Sequence, residues 1–301
     1  MPAAHRIAIV NYRGALTSAV HGMAEILRFA AELRPERQLA VEIVGHPDPG
    51  HDIYILPPAP QPIDTAAQPE LPAALHRAHQ RGAVMCSVCA GLIWLAEADI
   101  LGARRVTTHW RLVSGFAERY PGTPTDADRI LIEYRDLITA GGMMAWIDLS
   151  LALVERLLDR AAMIEVSSQF VIDTPRRDQR QYQRFVPDLG HDDQAVRRAQ
   201  LYIESNFAHP LTLDTLAGVA GLSKRTFMRR FAKILGHTPL SYVQAVRIDK
   251  AKDILAQASG SIQNVAYDVG YGDHSAFSRR FHEQTGMTPQ DFRRKYRAAA
   301  A

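Results

Sequence analysis

A cysteine and a histidine in the first half of the chain have the residue types that hydrolysis through a thiolate nucleophile requires. Cys89 follows the apolar run AVMCSV, and Ala90 and Gly91 allow a sharp turn into a helical pattern. A cysteine at a strand-to-helix turn lies near the free N–H groups and the positive end of the helix dipole, which favour the thiolate. His109 would serve as the base, but no aspartate or glutamate is identifiable as the group that orients it.

The two cysteines of the chain, Cys86 and Cys89, are too few for a disulfide framework. If AVMCSV is a strand, its alternation points the two side chains to opposite faces of the sheet. A redox pair or a zinc site is therefore not expected, and the sequence predicts neither a metal nor a cofactor.

The C-terminal hundred residues contain a repeat that points to a different chemistry. The stretch LAGVAGLSKRTFMRRFAKILGHTPLSY aligns with VAYDVGYGDHSAFSRRFHEQTGMTPQDF, and the second copy has one extra residue in its turn. Each copy places an alanine four residues before a glycine, which suits two closely crossing helices joined by a turn of positive φ. The repeat predicts two helix-turn-helix motifs; an ordinary helical bundle is the alternative.

Helical angles at 100° per residue indicate which side chains of the repeat face outward. Apolar side chains share one stripe of each second helix: Phe227, Phe231 and Ile234, then Phe277 and Phe281. Polar side chains lie away from that stripe: Arg225, Arg229 and Lys233, then Ser275, Arg279 and His282. Because Arg229 and Arg279 recur at one position of both helices, contact with a DNA groove is favoured over two solvated charges.

The elements that position Cys89 and His109 are short apolar runs that alternate with helical patterns. The runs are RIAIV, LAVEIV, DIYIL, GAVMCSV, RVTT and RILIEY. Helical patterns lie near 15–33, 70–80, 110–119 and 143–158. This alternation predicts a mostly parallel sheet sandwiched by helices, an α/β fold, followed by an all-α domain.

The sequence changes character after residue 166, where Arg, Gln, Asp and Pro predominate. We predict a sensor and dimerisation domain over 1–170, a linker over 171–193, and a DNA-binding domain over 194–301. Residues 191–301 carry 16 Lys and Arg against 10 Asp and Glu, whereas the preceding part is mildly acidic. The charge indicates that only the C-terminal part meets a polyanion. Neither a signal peptide nor a membrane span is recognisable, so we expect a cytoplasmic protein.

The region from about residue 195 to 297 resembles the DNA-binding domain of the AraC/XylS family, including RIDKAKDIL and the closing GMTPQDFRRKYR. The resemblance implies that the two helices dock in successive major grooves. Carried over by position, the residues that would face the bases are Arg225, Met228, Arg229, His274, Ser275, Ser278 and Arg279. An arginine can donate two hydrogen bonds to guanine, which typically discriminates against the wrong base by ~1–3 kcal/mol.

The first half resembles the ThiJ/PfpI group of the class I glutamine-amidotransferase-like superfamily, as fused to AraC domains in GlxA-type regulators. SVCAG, VTTHW and ITAGGMMAWIDLSLALVE carry this resemblance, which implies a flavodoxin-like fold. Two departures stand out. Ala19 occupies the place of the acidic residue that approaches the cysteine in the enzymes, whereas Glu25 matches another position. Pro57 and Pro58 fill the loop where relatives have glycine N–H donors.

These observations predict a transcriptional regulator that is not an enzyme. Cys89 and His109 would line a pocket for a small effector, such as an amino acid or an amine, at the carboxyl ends of the strands. The expected partners are double-stranded DNA, RNA polymerase and a second copy of the chain, with no membrane. One alternative is a cysteine-dependent hydrolase or glyoxalase-like enzyme with an autoregulatory DNA-binding domain. Another is a purely structural dimerisation domain with an empty site.

Overall fold

The computed structural model describes residues 5–173, 178–257 and 260–297. The chain divides into two compact units, Met1–Gln179 and Arg180–Ala301, which we call the sheet unit and the helical unit. The division falls within 171–193, the segment that the sequence predicts as a linker. Within the described ranges, no helix combines the length and the apolar character that crossing a membrane requires.

The sheet unit is built on six strands in the order β2-β1-β3-β4-β6-β5. Their bounds are β1 His5–Val10, β2 Leu39–Val44, β3 Ile53–Leu56, β4 Val84–Val88, β5 Leu131–Glu133 and β6 Leu137–Ala140. All neighbouring strands are parallel except β5, which pairs antiparallel with β6. The predicted mostly parallel sheet is therefore confirmed.

Among the described residues, six α-helices accompany this sheet. They are α1 Thr17–Leu33, α2 Glu70–Gln80, α3 Leu92–Glu97, α4 Val113–Arg119, α5 Trp146–Leu157 and α6 Arg160–Gln169. The residues of β3, IYIL, and of β6, LITA, are mainly apolar and are all buried. Strands covered on both faces lack an alternating pattern, which explains why these runs are continuously apolar.

Two expectations about strands are wrong. The segment RVTT forms no strand, because Val106 makes only an isolated bridge with Thr125 and the Thr107 N–H donates to the Thr139 side chain at 3.0 Å. Conversely, β6 forms where the sequence predicts no strand. It follows β5 through a tight turn, in which the Tyr134 N–H donates to the Leu137 carbonyl at 2.7 Å.

The described residues of the helical unit form seven α-helices, as the predicted all-α domain requires. They are α7 Gln194–Asn206, α8 Leu213–Ala220, α9 Lys224–Leu235, α10 Pro239–Gln257, α11 Ile262–Asp268, α12 His274–Thr285 and α13 Pro289–Tyr296. Two buried clusters, one around Phe227 and Phe231 and one around Phe277 and Phe281, share α10 between them. The predicted apolar stripes of α9 and α12 are thus the contact faces of two separate cores.

Residues 180–193, which we call the arm, pack onto the helical unit. The Phe185 ring contacts Tyr242 edge-on with ring centroids 4.8 Å apart, and the Phe185 N–H donates to Asp249 at 3.2 Å. At the end of the arm, Asp193 accepts hydrogen bonds from the first N–H groups of α7. The arm is therefore held by an aromatic contact and by hydrogen bonds, although the sequence places it in the linker.

Candidate functional site

Cys89 lies in the sharp turn between β4 and α3. Its φ is +54°, a left-handed conformation that is uncommon for a residue with a side chain. A Cβ atom at Gly91 would lie 2.4 Å from the Leu56 carbonyl oxygen, so only glycine fits there. The Thr108 hydroxyl donates to the Cys89 carbonyl at 2.8 Å. Because β4 ends at Val88, strand alternation does not set the direction of the Cys89 side chain.

The Cys89 thiol is held in its neutral form by burial. Burial raises its pKa to about 11, although hydrogen bonds from three backbone N–H groups oppose the shift: Ala90, His109 and Gly142. No carboxylate of the described residues contributes to this pKa. Since a thiolate is the nucleophilic form, the turn presents a neutral thiol near pH 7.

His109 is half-buried and begins the short 3-10 helix Trp110–Leu112. Its Nδ1 accepts a hydrogen bond from the Arg111 N–H at 3.1 Å, which leaves the proton of the neutral ring on Nε2. Burial, followed by the charge of Arg111, lowers the pKa of the imidazole. The ring stacks on Trp110, with centroids 5.4 Å apart. His109 is therefore a neutral ring near pH 7, and its backbone N–H donates to the Cys89 sulfur.

The two departures predicted from the first helix and from the third strand have clear places in the structure. Ala19 is buried on α1, whereas Glu25 on the same helix is exposed. Pro57 and Pro58 are buried after β3 and offer carbonyl oxygens. The Pro57 carbonyl accepts from the Tyr12 hydroxyl at 2.5 Å, and the Pro58 carbonyl accepts from the Leu16 N–H, just before α1, at 2.8 Å. This loop supplies acceptors where an oxyanion needs donors.

Two residues of the site are missed by sequence reasoning. The Tyr12 phenol is buried near Cys89, and burial followed by that neighbour raises its pKa above the usual range. Tyr12 follows β1 at the carboxyl edge of the sheet, so the strand pattern contained a signal for it. Gln179 accepts from the Trp110 N–H at 3.1 Å and donates to the Thr108 carbonyl at 2.9 Å. No local pattern marks Gln179, because these contacts join distant parts of the chain.

Trp146 begins α5 with its ring against α1. A Cβ atom at Gly22 would lie 2.6 Å from this ring, so the small residue makes room for the indole. Trp146 is buried, whereas Trp110 is half-buried beside His109. The geometry places Trp146 in the core and Trp110 at the candidate effector site.

The two helix-turn-helix motifs of the helical unit are α8–α9 and α11–α12. Gly221 and Gly270 have φ values of +69° and +87°, as a left-handed turn residue requires. Ala217 and Ala266 are buried at the helix crossings. The turn between Gly270 and α12 is longer than the turn between Gly221 and α9. The extra residue of the second copy lies in this longer turn. The predicted pair of motifs is confirmed.

Six of the seven residues predicted to face DNA are exposed on α9 and α12: Arg225, Met228, Arg229, His274, Ser275 and Arg279. The seventh, Ser278, is half-buried, and its hydroxyl lies 3.5 Å from Nε2 of His274. The other predicted outward residues, Lys233 and His282, are also exposed. The arrangement leaves one polar face on each recognition helix, and contact with DNA at these positions stays a prediction.

The two arginines of each RRF motif differ in their surroundings. The second arginine of each motif pairs with a carboxylate of the helical unit. Arg230 Nε donates to Asp193 at 2.8 Å, and Arg280 forms a salt bridge with Glu283 at 2.9 Å. The first arginine makes no hydrogen bond or salt bridge to any described residue. These unpaired side chains are Arg229 and Arg279.

Comparisons with known proteins agree with this architecture. Residues 44–156 match the DJ-1/PfpI family, and residues 216–295 match a helix-turn-helix domain family. The HTH-type transcriptional regulator ArgR of Pseudomonas aeruginosa is 32% identical over 240 residues, which cover 78% of this chain and 72% of that protein. The regulator GlxA of Rhizobium meliloti is 26% identical over the same shares of the two chains.

A crystal structure of a candidate transcriptional regulator from Vibrio parahaemolyticus covers 56% of this chain and 100% of its own, with a TM-score of 0.50 and 17% identity. That likeness supports the fold of the sheet unit. The chain belongs to the family of DNA-binding transcriptional regulators that join a DJ-1/PfpI domain to an AraC-type helix-turn-helix domain.

Proposed function

We propose that the sheet unit is a sensor that binds a small metabolite at Cys89 and His109 and carries out no catalysis. The observation that carries the proposal is the state of Cys89, whose thiol is buried, has a pKa of about 11 and has no carboxylate among its described neighbours. His109 is a neutral ring whose Nδ1 is already engaged. A thiolate nucleophile and a base oriented by a carboxylate are both missing from this arrangement.

The effector we infer is a small molecule with a hydrogen-bonding end, such as an amino acid or an amine. Backbone N–H groups from three segments converge near Cys89, and the half-buried Trp110 adds an aromatic face beside them. Donors suit a carboxylate oxygen, and an aromatic ring suits an alkyl or cationic group. Effector binding would favour one arrangement of the chain over another and so change the affinity for DNA.

The helical unit would read DNA through α9 and α12. We propose that Arg229 and Arg279 contact base edges, because their side chains are exposed and make no salt bridge or hydrogen bond with the residues that the structure describes, whereas Arg230 and Arg280 pair with carboxylates of the helical unit. Arg225, Met228, His274, Ser275 and Ser278 would complete the two reading faces. The regulator would act as a homodimer in the cytoplasm and would contact RNA polymerase when bound.

A thermal-shift screen of the full-length protein against amino acids, amines and quaternary ammonium compounds tests the sensor. A ligand at one hundred times its Kd stabilises the folded state by ~2.7 kcal/mol, which moves the melting temperature measurably. The matched control is Cys89→Ala, which should weaken the response to the same compound while leaving DNA binding without it unchanged. If the wild type hydrolyses amides or converts glyoxals at an enzyme-like rate, and Cys89→Ala abolishes that turnover, the sensor proposal is wrong.

A further inference from the structure

Gln179 is the last residue of the sheet unit, and both the oxygen and the nitrogen of its side-chain amide are hydrogen-bonded. Its Oε1 accepts from the Trp110 N–H at 3.1 Å. Its Nε2 donates to the carbonyl groups of Thr108 and Arg129, each at 2.9 Å, and approaches the Thr107 hydroxyl at 3.2 Å. The side chain is 2 % exposed. The amide therefore holds the backbone on both sides of the histidine of the candidate effector site.

The space around this amide is closed by Gly141. A Cβ atom at Gly141 would lie 2.1 Å from Nε2 of Gln179, so the two residues pack without room for any larger neighbour. Gly141 precedes Gly142, whose N–H is one of the groups that face the sulfur of Cys89. The Gln179 side chain thus contacts two of the segments that surround the thiol.

The chain on the other side of Gln179 is fixed to the helical unit. Arg180 begins that unit, and its guanidinium donates to the Glu283 carbonyl at the end of α12 at 3.3 Å. The Lys252 ammonium on α10 donates to the Gln183 carbonyl at 2.7 Å. Lys252 is 5 % exposed, and its contact with Gln183 is partly buried. Two consecutive residues, Gln179 and Arg180, are therefore anchored in different units.

We propose that Gln179 is the positioning residue that couples the candidate effector site to the DNA-binding unit. A ligand that displaces the 107–110 loop pulls on the amide of Gln179. Because Gln179 and Arg180 are joined directly by a peptide bond, that displacement reaches the arm and its contacts with α10 and α12. The inference rests on the proposed function in that the effector binds beside this loop.

The first test compares Gln179→Glu and Gln179→Ala with the wild type in the full-length chain. Glutamate has nearly the same shape as glutamine, but its carboxylate cannot donate to the Thr108 and Arg129 carbonyl groups. Hydrogen exchange at residues 105–112 and the rate of Cys89 modification by iodoacetamide report on the loop. We expect both rates to rise about tenfold in each variant, the factor that corresponds to ~1.4 kcal/mol, close to the net contribution of one hydrogen bond.

A pH series separates hydrogen bonding from packing. A protonated glutamic acid regains one O–H donor, so the ratio of the Gln179→Glu rate to the wild-type rate should fall toward one as the pH is lowered. The ratio for Gln179→Ala should not change with pH. The control variant is Gln181→Ala, two residues along the chain, which should leave the loop unchanged. Rates equal to wild type in both Gln179 variants would overturn the proposal.

The second test uses a chemical probe of the site in place of the unidentified effector. In a Cys86→Ala background, Cys89 is the only thiol, and methyl methanethiosulfonate places a methylthio group on it. The thiolate attacks the reagent sulfur, a disulfide forms, and methanesulfinate leaves with the electron pair of the broken bond. Dithiothreitol reverses the modification. Hydrogen exchange is then measured at residues 178–185, together with affinity for a duplex selected from a random pool.

In the Cys86→Ala chain that keeps Gln179, we expect modification to raise exchange at 178–185 and to change DNA affinity at least about threefold, a modest coupling energy. With Gln179→Ala the same modification should change neither quantity. If modification loosens 105–112 but leaves 178–185 and DNA affinity unchanged with Gln179 present, the coupling role is refuted. The probe requires no natural effector, so an empty metabolite screen would count against the proposed function and not against this coupling.

Discussion

Arg229 and Arg230 are consecutive on α9, yet Arg230 pairs with Asp193 and Arg229 makes no salt bridge or hydrogen bond with the described residues. The same contrast recurs between Arg279 and Arg280 on α12. The second arginine of each RRF motif thus forms a salt bridge within the helical unit, and the first is available to bind a partner.

Arg229→Ala and Arg279→Ala should each weaken binding to the selected duplex by ~1–3 kcal/mol and relax the preference at different base pairs. Arg230→Ala is the matched control, because it should lower the melting temperature through the lost contact with Asp193 and cost less in base preference. Titrations against single-base variants of the duplex measure the difference. Equal losses on specific and random DNA would show that Arg229 and Arg279 contact phosphates only.

The helical unit should protect one short, asymmetric element on DNA, and the full-length protein should protect two copies. The recognition helices α9 and α12 lie in one chain, so they should enter major-groove segments about one helical turn apart, ~10–10.5 bp centre to centre. Footprinting of residues 180–301 and of the whole chain checks this. A strictly palindromic footprint with one contacted groove per subunit would mean that only one motif binds.

Cys89 should react slowly with iodoacetamide at neutral pH, and the rate should climb with pH. A thiol whose pKa is raised to about 11 gains thiolate about tenfold per pH unit over the range below that value. Mass spectrometry of the modified peptide, in a Cys86→Ala background, follows the rate. A plateau reached near neutral pH would indicate a stable thiolate and would favour the cysteine-enzyme alternative.

Phe185→Ala should destabilise the helical unit by ~1–3 kcal/mol, because the ring packs against Tyr242 and the surrounding core. The neighbouring Val186 is 66% exposed, so Val186→Ala is the matched control and should change stability little. Urea unfolding of residues 180–301 measures both variants. The arm contributes nothing to folding if the two variants have the same midpoint as the parent fragment.

Val171→Gly should stabilise the sheet unit by ~0.5–1 kcal/mol. Val171 follows α6 with φ +53°, which a β-branched residue adopts only under strain, and its side chain is 91% exposed. Glycine removes that strain without removing a buried contact. Thermal melts of the full-length variant and of Val171→Ala, which keeps the Cβ atom, distinguish strain relief from loss of the isopropyl group.

Much of the architecture could be predicted because it depends on local patterns. Continuous apolar runs mark β1, β3 and β4, and the spacing of Phe227 and Phe231 marks the buried side of α9. The β5–β6 hairpin could not be predicted, because its turn, at Arg135 and Asp136, contains no glycine to mark it. The β-branched residues of RVTT favour a strand, but the Thr107 N–H bonds to a side chain and not to a neighbouring strand, which no local pattern reveals.

The candidate site could be predicted only in part, for a physical reason. Cys89 and His109 carry their chemistry in their residue types, and sequence motifs surround both. The contacts of Gln179 with Trp110 and Arg129 depend on how distant segments meet, and a lone glutamine in a polar stretch has no periodicity to reveal them. The raised pKa of Cys89 likewise follows from burial, which outweighs the hydrogen bonds to the sulfur and which the local sequence around the turn does not reveal.

If α9 and α12 contact DNA as proposed, the difference between their outward faces gives the bound protein a polarity. One helix presents Arg225, Met228 and Arg229, and the other presents His274 and Ser275. The DNA-binding unit therefore binds its site in one orientation and not in the reverse one. Each subunit would then present the same flank toward the promoter in one orientation only. Reversing a single half-site in place would leave affinity nearly unchanged but would aim the opposite flank at the polymerase, so transcription, unlike binding, would register the direction of the sequence.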